Sequence, residues 1–171
     1  MVCYNRSMSK RDLKIIGNNA FVEIAGIKNI PVKVDTGADS SAIWASRIRM
    51  NEENYLEFCL FGPKSPLYTG ETLVAKQYNV KQVRSSNGQV SIRYSVPLKL
   101  KIEGRTIRAD FTLANRARNR FPILIGRKTL QNKFLVDVSK VRIPRPPTFD
   151  NQRLNNELKS DPHAFHKKYM S

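Results

Sequence analysis

The chain has 171 residues, enough for one domain with its own core, and 40% of them are hydrophobic. Thirty basic residues against 14 acidic ones give a formal charge of +16, a field that favours acidic partners such as nucleic acid, anionic membranes or acidic peptides. No run approaches the roughly 18 apolar residues of a membrane span, and the first residues lack the apolar stretch of a signal peptide. Cys3 and Cys59 cannot form a disulfide framework, so the expected compartment is a reducing cytoplasm with no membrane partner.

Residues 1–12 are polar and are expected to form a flexible segment. Residues 13–16 and 20–24 read as strands around an Asn18-Asn19 turn. The alternating run at 30–34 reads as a strand that ends on Asp35-Thr36-Gly37. Residues 42–45, which include Trp44, are compact and apolar and should line or back whatever Asp35 serves. Tyr55 to Phe61 reads as another strand, with Cys59 as a packing residue, and Gly62-Pro63 breaks it. Residues 71–102 read as a long hairpin turning at Ser86-Asn87-Gly88, because Asn-Gly between alternating strands favours a tight turn.

Further strands are expected at 96–102, 105–113 and 134–138. The apolar run Phe121-Pro122-Ile123-Leu124-Ile125 ends on Gly126, and a short helical pattern follows from Arg127 to Gln131. Just before it, Asn115-Arg116-Ala117-Arg118-Asn119-Arg120 is the densest basic patch. It reads either as a carboxylate or phosphate clamp, since Arg suits bidentate recognition, or as a solvated loop. No nucleic-acid-reading motif accompanies it, so nucleic acid is not the favoured partner. The net charge is +2 over residues 1–12, +11 over 13–141 and +3 over 142–171, so a basic tail alone does not account for it.

Arg142-Ile143-Pro144-Arg145-Pro146-Pro147 ends the domain in an extended segment. The expected organisation is therefore a segment 1–12, a domain 13–141 and a Pro-containing basic extension 142–171. That extension has a weak helical pattern around Leu154 and Leu158. Many short strands with turn signals point to an all-β closed or sandwich-like fold.

Asp35-Thr36-Gly37 at the end of an apolar strand is the half-site signature of an aspartic protease. Metal-free peptide hydrolysis needs an activated water and a proton donor, and two carboxylates about 3 Å apart supply both by sharing one proton. One acts as base and the other as acid. The motif occurs once, so a dyad requires two copies of the chain. Asp, Thr and Gly are also common turn residues, and a polar turn is the bland reading of the tripeptide.

Asp35-Thr36-Gly37-Ala38-Asp39, together with Leu124-Ile125-Gly126-Arg127, resembles the retropepsin family. With Val83-Arg84-Ser85-Ser86-Asn87-Gly88, Arg93-Tyr94 and Phe134-Leu135-Val136-Asp137 added, the chain is most similar to the prokaryotic retropepsin-like family often labelled "ATP-dependent zinc protease". Asp39 departs from that family, which often has Arg there. The resemblance implies an all-β, retropepsin-like closed barrel with a flap hairpin and one short C-terminal helix. It implies a homodimeric aspartic endopeptidase in which Asp35, Thr36 and Gly37 are catalytic. Ala38, Asp39, Ser86, Asn87, Gly88 and Ile123 would bind substrate, with Gly126 and Arg127 as structural support.

Asp39 could pair with Arg127, contact substrate backbone, or both. The substrate would be a peptide or protein, with acidic chains favoured because family members are associated with ligases that add glutamates. The leading alternative is a catalytically silent module that binds acidic partners. No metal or cofactor is expected. There is no H-E-x-x-H, His163 and His166 lie in the tail, and no Walker loop is present. Asp110 and Asp137 lack a following Thr/Ser-Gly and read as structural.

Overall fold

A computed structural model describes residues 13–84, 88–144 and 151–170. Its first sheet pairs β1 (Lys14–Ile16) in parallel with β11 (Phe134–Val136). The other nine strands form one connected sheet. They are β2 (Asn19–Ile24), β3 (Ile27–Asp35), β4 (Ser41–Met50), β5 (Leu56–Leu60), β6 (Thr72–Ala75), β7 (Asn79–Arg84), β8 (Val90–Ile102), β9 (Arg105–Ala114) and β10 (Ile123–Gly126).

Six of these strands close on themselves in the order β10, β3, β2, β8, β9, β4 and back to β10. The all-β closed barrel expected from the resemblance is therefore the architecture of the chain. Closure leaves those strands no free edge. The core follows the period of the strands. Along β3, Ile30, Val32 and Val34 point inward while Lys33 points to solvent. Phe58, Phe61, Phe111, Ile123 and Ile125 fill the interior, and Cys59 packs there as a buried free thiol. Trp44 meets Phe61 edge to face at 6.3 Å and lies against this core.

Two pairings differ from the sequence expectation. Asn19 lies inside β2, so residues 13–16 and 20–24 form no hairpin. The Asn19 side chain is buried and accepts from the backbone N–H groups of Arg142 and Ile143 at 3.0 and 2.8 Å. Asn19 thereby ties residues 142–143 to the barrel. The expected hairpin over 71–102 is also shorter. β6 pairs with β5, from Cys59 opposite Thr72 to Leu56 opposite Ala75, and only Asn79 onward pairs with β8. Leu73 and Ala75 pack on the core, which holds β6 beside β5 and away from β8.

After β10, α1 (Arg127–Leu130) makes one turn. Beyond the extended segment, the chain forms α2 (Asn151–Ser160) and α3 (Pro162–Tyr169). Asp161 caps α3 by accepting from Ala164 N–H at 2.9 Å, and Pro162 occupies its first turn, where a missing N–H costs nothing. The Glu157 carboxylate of α2 holds Lys168 and Tyr169 of α3. Neither helix contains a buried residue.

Candidate active site

β10 lies between β3, its parallel neighbour, and β4, its antiparallel neighbour. The residues joining β3 to β4 must therefore cross the C-terminal end of β10. Asp35 stands opposite Gly126 in the register, and the crossing residues 36–40 rest on the start of α1. Arg127 N–H donates to the Ala38 carbonyl at 2.8 Å, and Lys128 N–H donates to the Asp39 carbonyl at 3.2 Å.

The crossing leaves no room for a side chain at Gly126. A Cβ there would lie 2.6 Å from the Ser40 carbonyl and 2.8 Å from the Ala38 oxygen. Below it, the buried Ser41 hydroxyl accepts from Gly126 N–H at 3.0 Å and bonds the Thr129 hydroxyl at 2.8 Å. Thr112 donates to the Ser41 carbonyl at 3.2 Å. Three elements thus clamp one loop, satisfying its buried polar groups.

Asp35 is only partly exposed. Gly37 N–H donates to its Oδ1 at 3.1 Å, and Lys33 Nζ donates to its Oδ2 at 3.0 Å. Burial raises its pKa. The hydrogen bond and charge of Lys33, with the N–H groups of Gly37 and Ala38, outweigh that and leave the carboxyl below its ordinary 3.8. The chain by itself therefore presents an ionised carboxylate. It can accept a proton from water, but it has none to give.

Thr36 and Gly37 are exposed, and the Thr36 hydroxyl has no hydrogen-bond partner among the described residues. Asp39 forms ion pairs with Arg127 and, at 3.5 Å, with Lys128. Gly88 has a φ of +82° at the end of the β7–β8 ribbon, a conformation suited to glycine. Ser86 and Asn87 lie outside the described residues. Ile123, expected to contact substrate, is instead fully buried: it pairs with Val32 and Ile43 in the core. Its neighbour Leu124, opposite Lys33, points the other way and is partly exposed.

One cation that was not assigned to the site, Lys33, pairs with Asp35, and a second, Arg116, lies within reach of its charge. Lys33 is two residues upstream on the same strand, a spacing that puts both side chains on one face. Arg116 donates from Nε to the Phe121 carbonyl at 3.1 Å, which folds its loop inward. Burial lowers the pKa of Arg116; the charge of Arg93 lowers it further, while Asp35 raises it. Arg116 therefore feels both Arg93 and Asp35. Arg118 and Arg120 of the same patch stay exposed, and Arg120 donates to the Ile143 and Pro144 carbonyls. Asp110 pairs with Lys81 at 3.4 Å, and Asp137 accepts from Ser139, so both sit in local structural contacts. Among the described residues, no cluster of His, Cys, Asp and Glu could hold a metal, and no helix is long and apolar enough to cross a membrane.

A Legionella pneumophila protein of unknown function shares the fold, with a TM-score of 0.60 over 75% of this chain and 95% of that one, at 21% identity. A probable alpha-L-glutamate ligase of Shewanella halifaxensis is 30% identical over 122 residues, which are 67% of this chain and 26% of the relative. One from Desulfotalea psychrophila is 28% identical over 130 residues, 72% of this chain and 28% of the relative. The chain thus spans about a quarter of the length of these curated relatives. The family model described as retropepsin-like aspartic endopeptidase RimB matches residues 15–147, from β1 through the barrel and past its last strand, and the chain belongs to that RimB-like family.

Proposed function

We propose that this chain is an aspartic endopeptidase that acts as a homodimer on acidic peptides or protein tails. The observation that carries the reading is the Asp35 loop itself. Its carboxylate is held by Gly37 N–H at the end of a strand, and its exposed Thr36 hydroxyl is unpartnered among the described residues. A two-fold axis beside that loop would bring a second Asp35 to the first, as in an isologous interface. The pair would then share a proton, one member activating water and the other protonating the carbonyl oxygen.

The acidic preference rests on Lys33 at the Asp35 carboxylate, on Arg116 within reach of its charge, and on the +16 charge of the chain. It is also supported by relatives named as glutamate ligases, in which a region like this chain makes up about a quarter of the length. A region joined to an enzyme that handles glutamate has acidic chains at hand.

A second reading has its own observation. The Lys33–Asp35 ion pair favours a fully ionised Asp35, which suits a module that binds acidic chains without cutting them. Peptide-library cleavage across pH separates the two readings, with wild type and Asp35→Asn compared at concentrations where sedimentation shows a dimer. Cleavage confined to wild type is the expected result. No cleavage by either dimer would overturn the active-peptidase reading and favour the binding module or a zymogen that needs activation.

A further inference from the structure

β3 carries Lys33 and Asp35 on one face, and its neighbours decide what else that face holds. In the register, Asn19 of β2 stands opposite Lys33 on one side and Leu124 of β10 on the other. Neither is charged. The Asn19 side chain is engaged with the backbone of Arg142 and Ile143, and Leu124 is apolar. Lys33 Nζ turns along its own strand to Asp35 Oδ2 at 3.0 Å, and among the described residues it has no other carboxylate partner.

The other charges near the loop are committed elsewhere. Asp39 pairs with Arg127 and Lys128 of α1. Arg116, in the β9–β10 connection, feels the charge of Asp35 and of Arg93 on β8, but its Nε donates to the Phe121 carbonyl. Lys33 is thus the cation in contact with Asp35. Both carboxylate oxygens are occupied, Oδ1 by Gly37 N–H and Oδ2 by Lys33. An exposed ion pair of this kind adds little to the stability of one chain. Its weight appears when the surface is covered, because a carboxylate buried without a counter-charge is costly.

A two-fold axis beside the Asp35 loop sets two carboxylates against each other. Like charges about 3 Å apart cannot both stay ionised unaided. Two bare chains can therefore meet there only by taking up a proton. With a Lys33 on each Asp35 the four charges sum to zero, and association needs no proton. We propose that Lys33 is a positioning residue of the dimeric site, the counter-ion that lets two Asp35 side chains meet near neutral pH. Assembly then comes first, and the shared proton enters the assembled pair as pH falls. The ionisation of the single chain agrees. Burial raises the Asp35 pKa, yet Lys33, with the N–H groups of Gly37 and Ala38, brings it below its ordinary 3.8. The inference rests on the homodimer of the peptidase reading, and its test reads assembly in place of cleavage.

The test is sedimentation equilibrium of the full-length chain between about pH 5 and 8 at fixed ionic strength. His163 and His166 also titrate in this range, but α3 is common to every variant, so the comparison is with wild type at each pH. Lys33→Met keeps an apolar stem and loses the charge. Across the window its dimer should weaken with rising pH by about tenfold more than that of wild type, since its assembly takes up a proton. Lys33→Arg should restore the wild-type profile, because its charge persists. Lys33→Met combined with Asp35→Asn should also follow wild type, since no carboxylates remain to repel. Thermal melting of each variant checks that the barrel is intact. Equal pH profiles for wild type and Lys33→Met dimers would overturn the counter-ion role and leave the homodimer standing. A steeper Lys33→Met profile, with no cleavage by wild type, would support the counter-ion and sink the peptidase reading alone. No dimer from any variant at any pH would overturn both.

Discussion

The Asp35 loop and the β7–β8 ribbon, the floor and the roof of the site on the peptidase reading proposed above, are built by different means. The floor, the Asp35 loop, crosses β10 and is held from three sides by Gly126, Ser41 and the N–H groups that open α1. The roof, the β7–β8 ribbon, projects from the barrel, and among the described residues its outer strand β7 pairs only with β8. Much of the free energy of the floor comes from buried contacts that cannot shift singly, since packed interiors have no slack. The roof exposes Val80 and Ile92 at 62% and 78% and has few contacts to lose. On the peptidase reading, a fixed carboxylate beside a lightly held ribbon is the division of labour that would suit a substrate that enters and is then enclosed.

The sharpest way to break this comparison is at the floor. Asp35→Asn removes the acid–base function, and cleavage should fall by about 10³-fold or more while the dimer persists by sedimentation. A mutant that keeps its activity would remove Asp35 from the mechanism. Gly126→Ala tests the clamp in place of the chemistry. Its Cβ would meet Ser40 backbone atoms at 2.6 Å, and backbone cannot rotate aside as a side chain could. Overpacking of this kind costs about 1–3 kcal/mol, measurable as a lower urea midpoint, and cleavage should fall with it.

Local motifs made the floor legible. Asp35-Thr36-Gly37-Ala38-Asp39 and the apolar run ending in Gly126-Arg127 are contiguous, and their spacing is chemical. Their juxtaposition depends on β10 entering between β3 and β4, which no local pattern announces. Ile123 shows the cost: strand parity separates it from Leu124, but which parity faces inward is set by Val32 and Ile43 on neighbouring strands. The site cations were obscured in two ways. Lys33 was readable from its spacing to Asp35, whereas Arg116 looks like Arg118 and Arg120 until the Phe121 carbonyl turns it inward. On the roof, the Asn87-Gly88 turn marked the hairpin, but the break between β6 and β7 followed from burial of Leu73 and Ala75, a tertiary effect.

A smaller effect is expected at the ion pair on the edge of the floor. Lys33→Met removes the hydrogen bond and the charge that hold Asp35 below its ordinary 3.8. Burial then acts against only the Gly37 and Ala38 N–H groups, so the pKa rises. In a shared-proton dyad, the protonated member then survives to higher pH, and the basic limb of the pH–rate profile should move upward. The stability linkage has the corresponding sign. A depressed carboxyl contributes stability that is present above its unfolded pKa and lost as pH falls through its folded one. Lys33→Met should therefore lessen acid destabilisation below about pH 4. A basic limb that stays in place would mean that Lys33 leaves Asp35 when the dimer forms.

The smallest expected effect lies on the roof. Ile92 is 78% exposed on the outer face of the ribbon, so Ile92→Thr removes little buried surface and keeps a β-branched residue in a strand. Stability should stay within about 0.5 kcal/mol of wild type, and cleavage should hardly change. Hydrogen exchange supplies the independent readout. The β7 amides should exchange faster than those of β10, which are bracketed on both sides and buried, because local opening of a lightly packed ribbon costs less than opening the barrel. Equal protection of β7 and β10 in the free protein would mean that the roof is as firmly built as the floor, and the entry of substrate would then need another route.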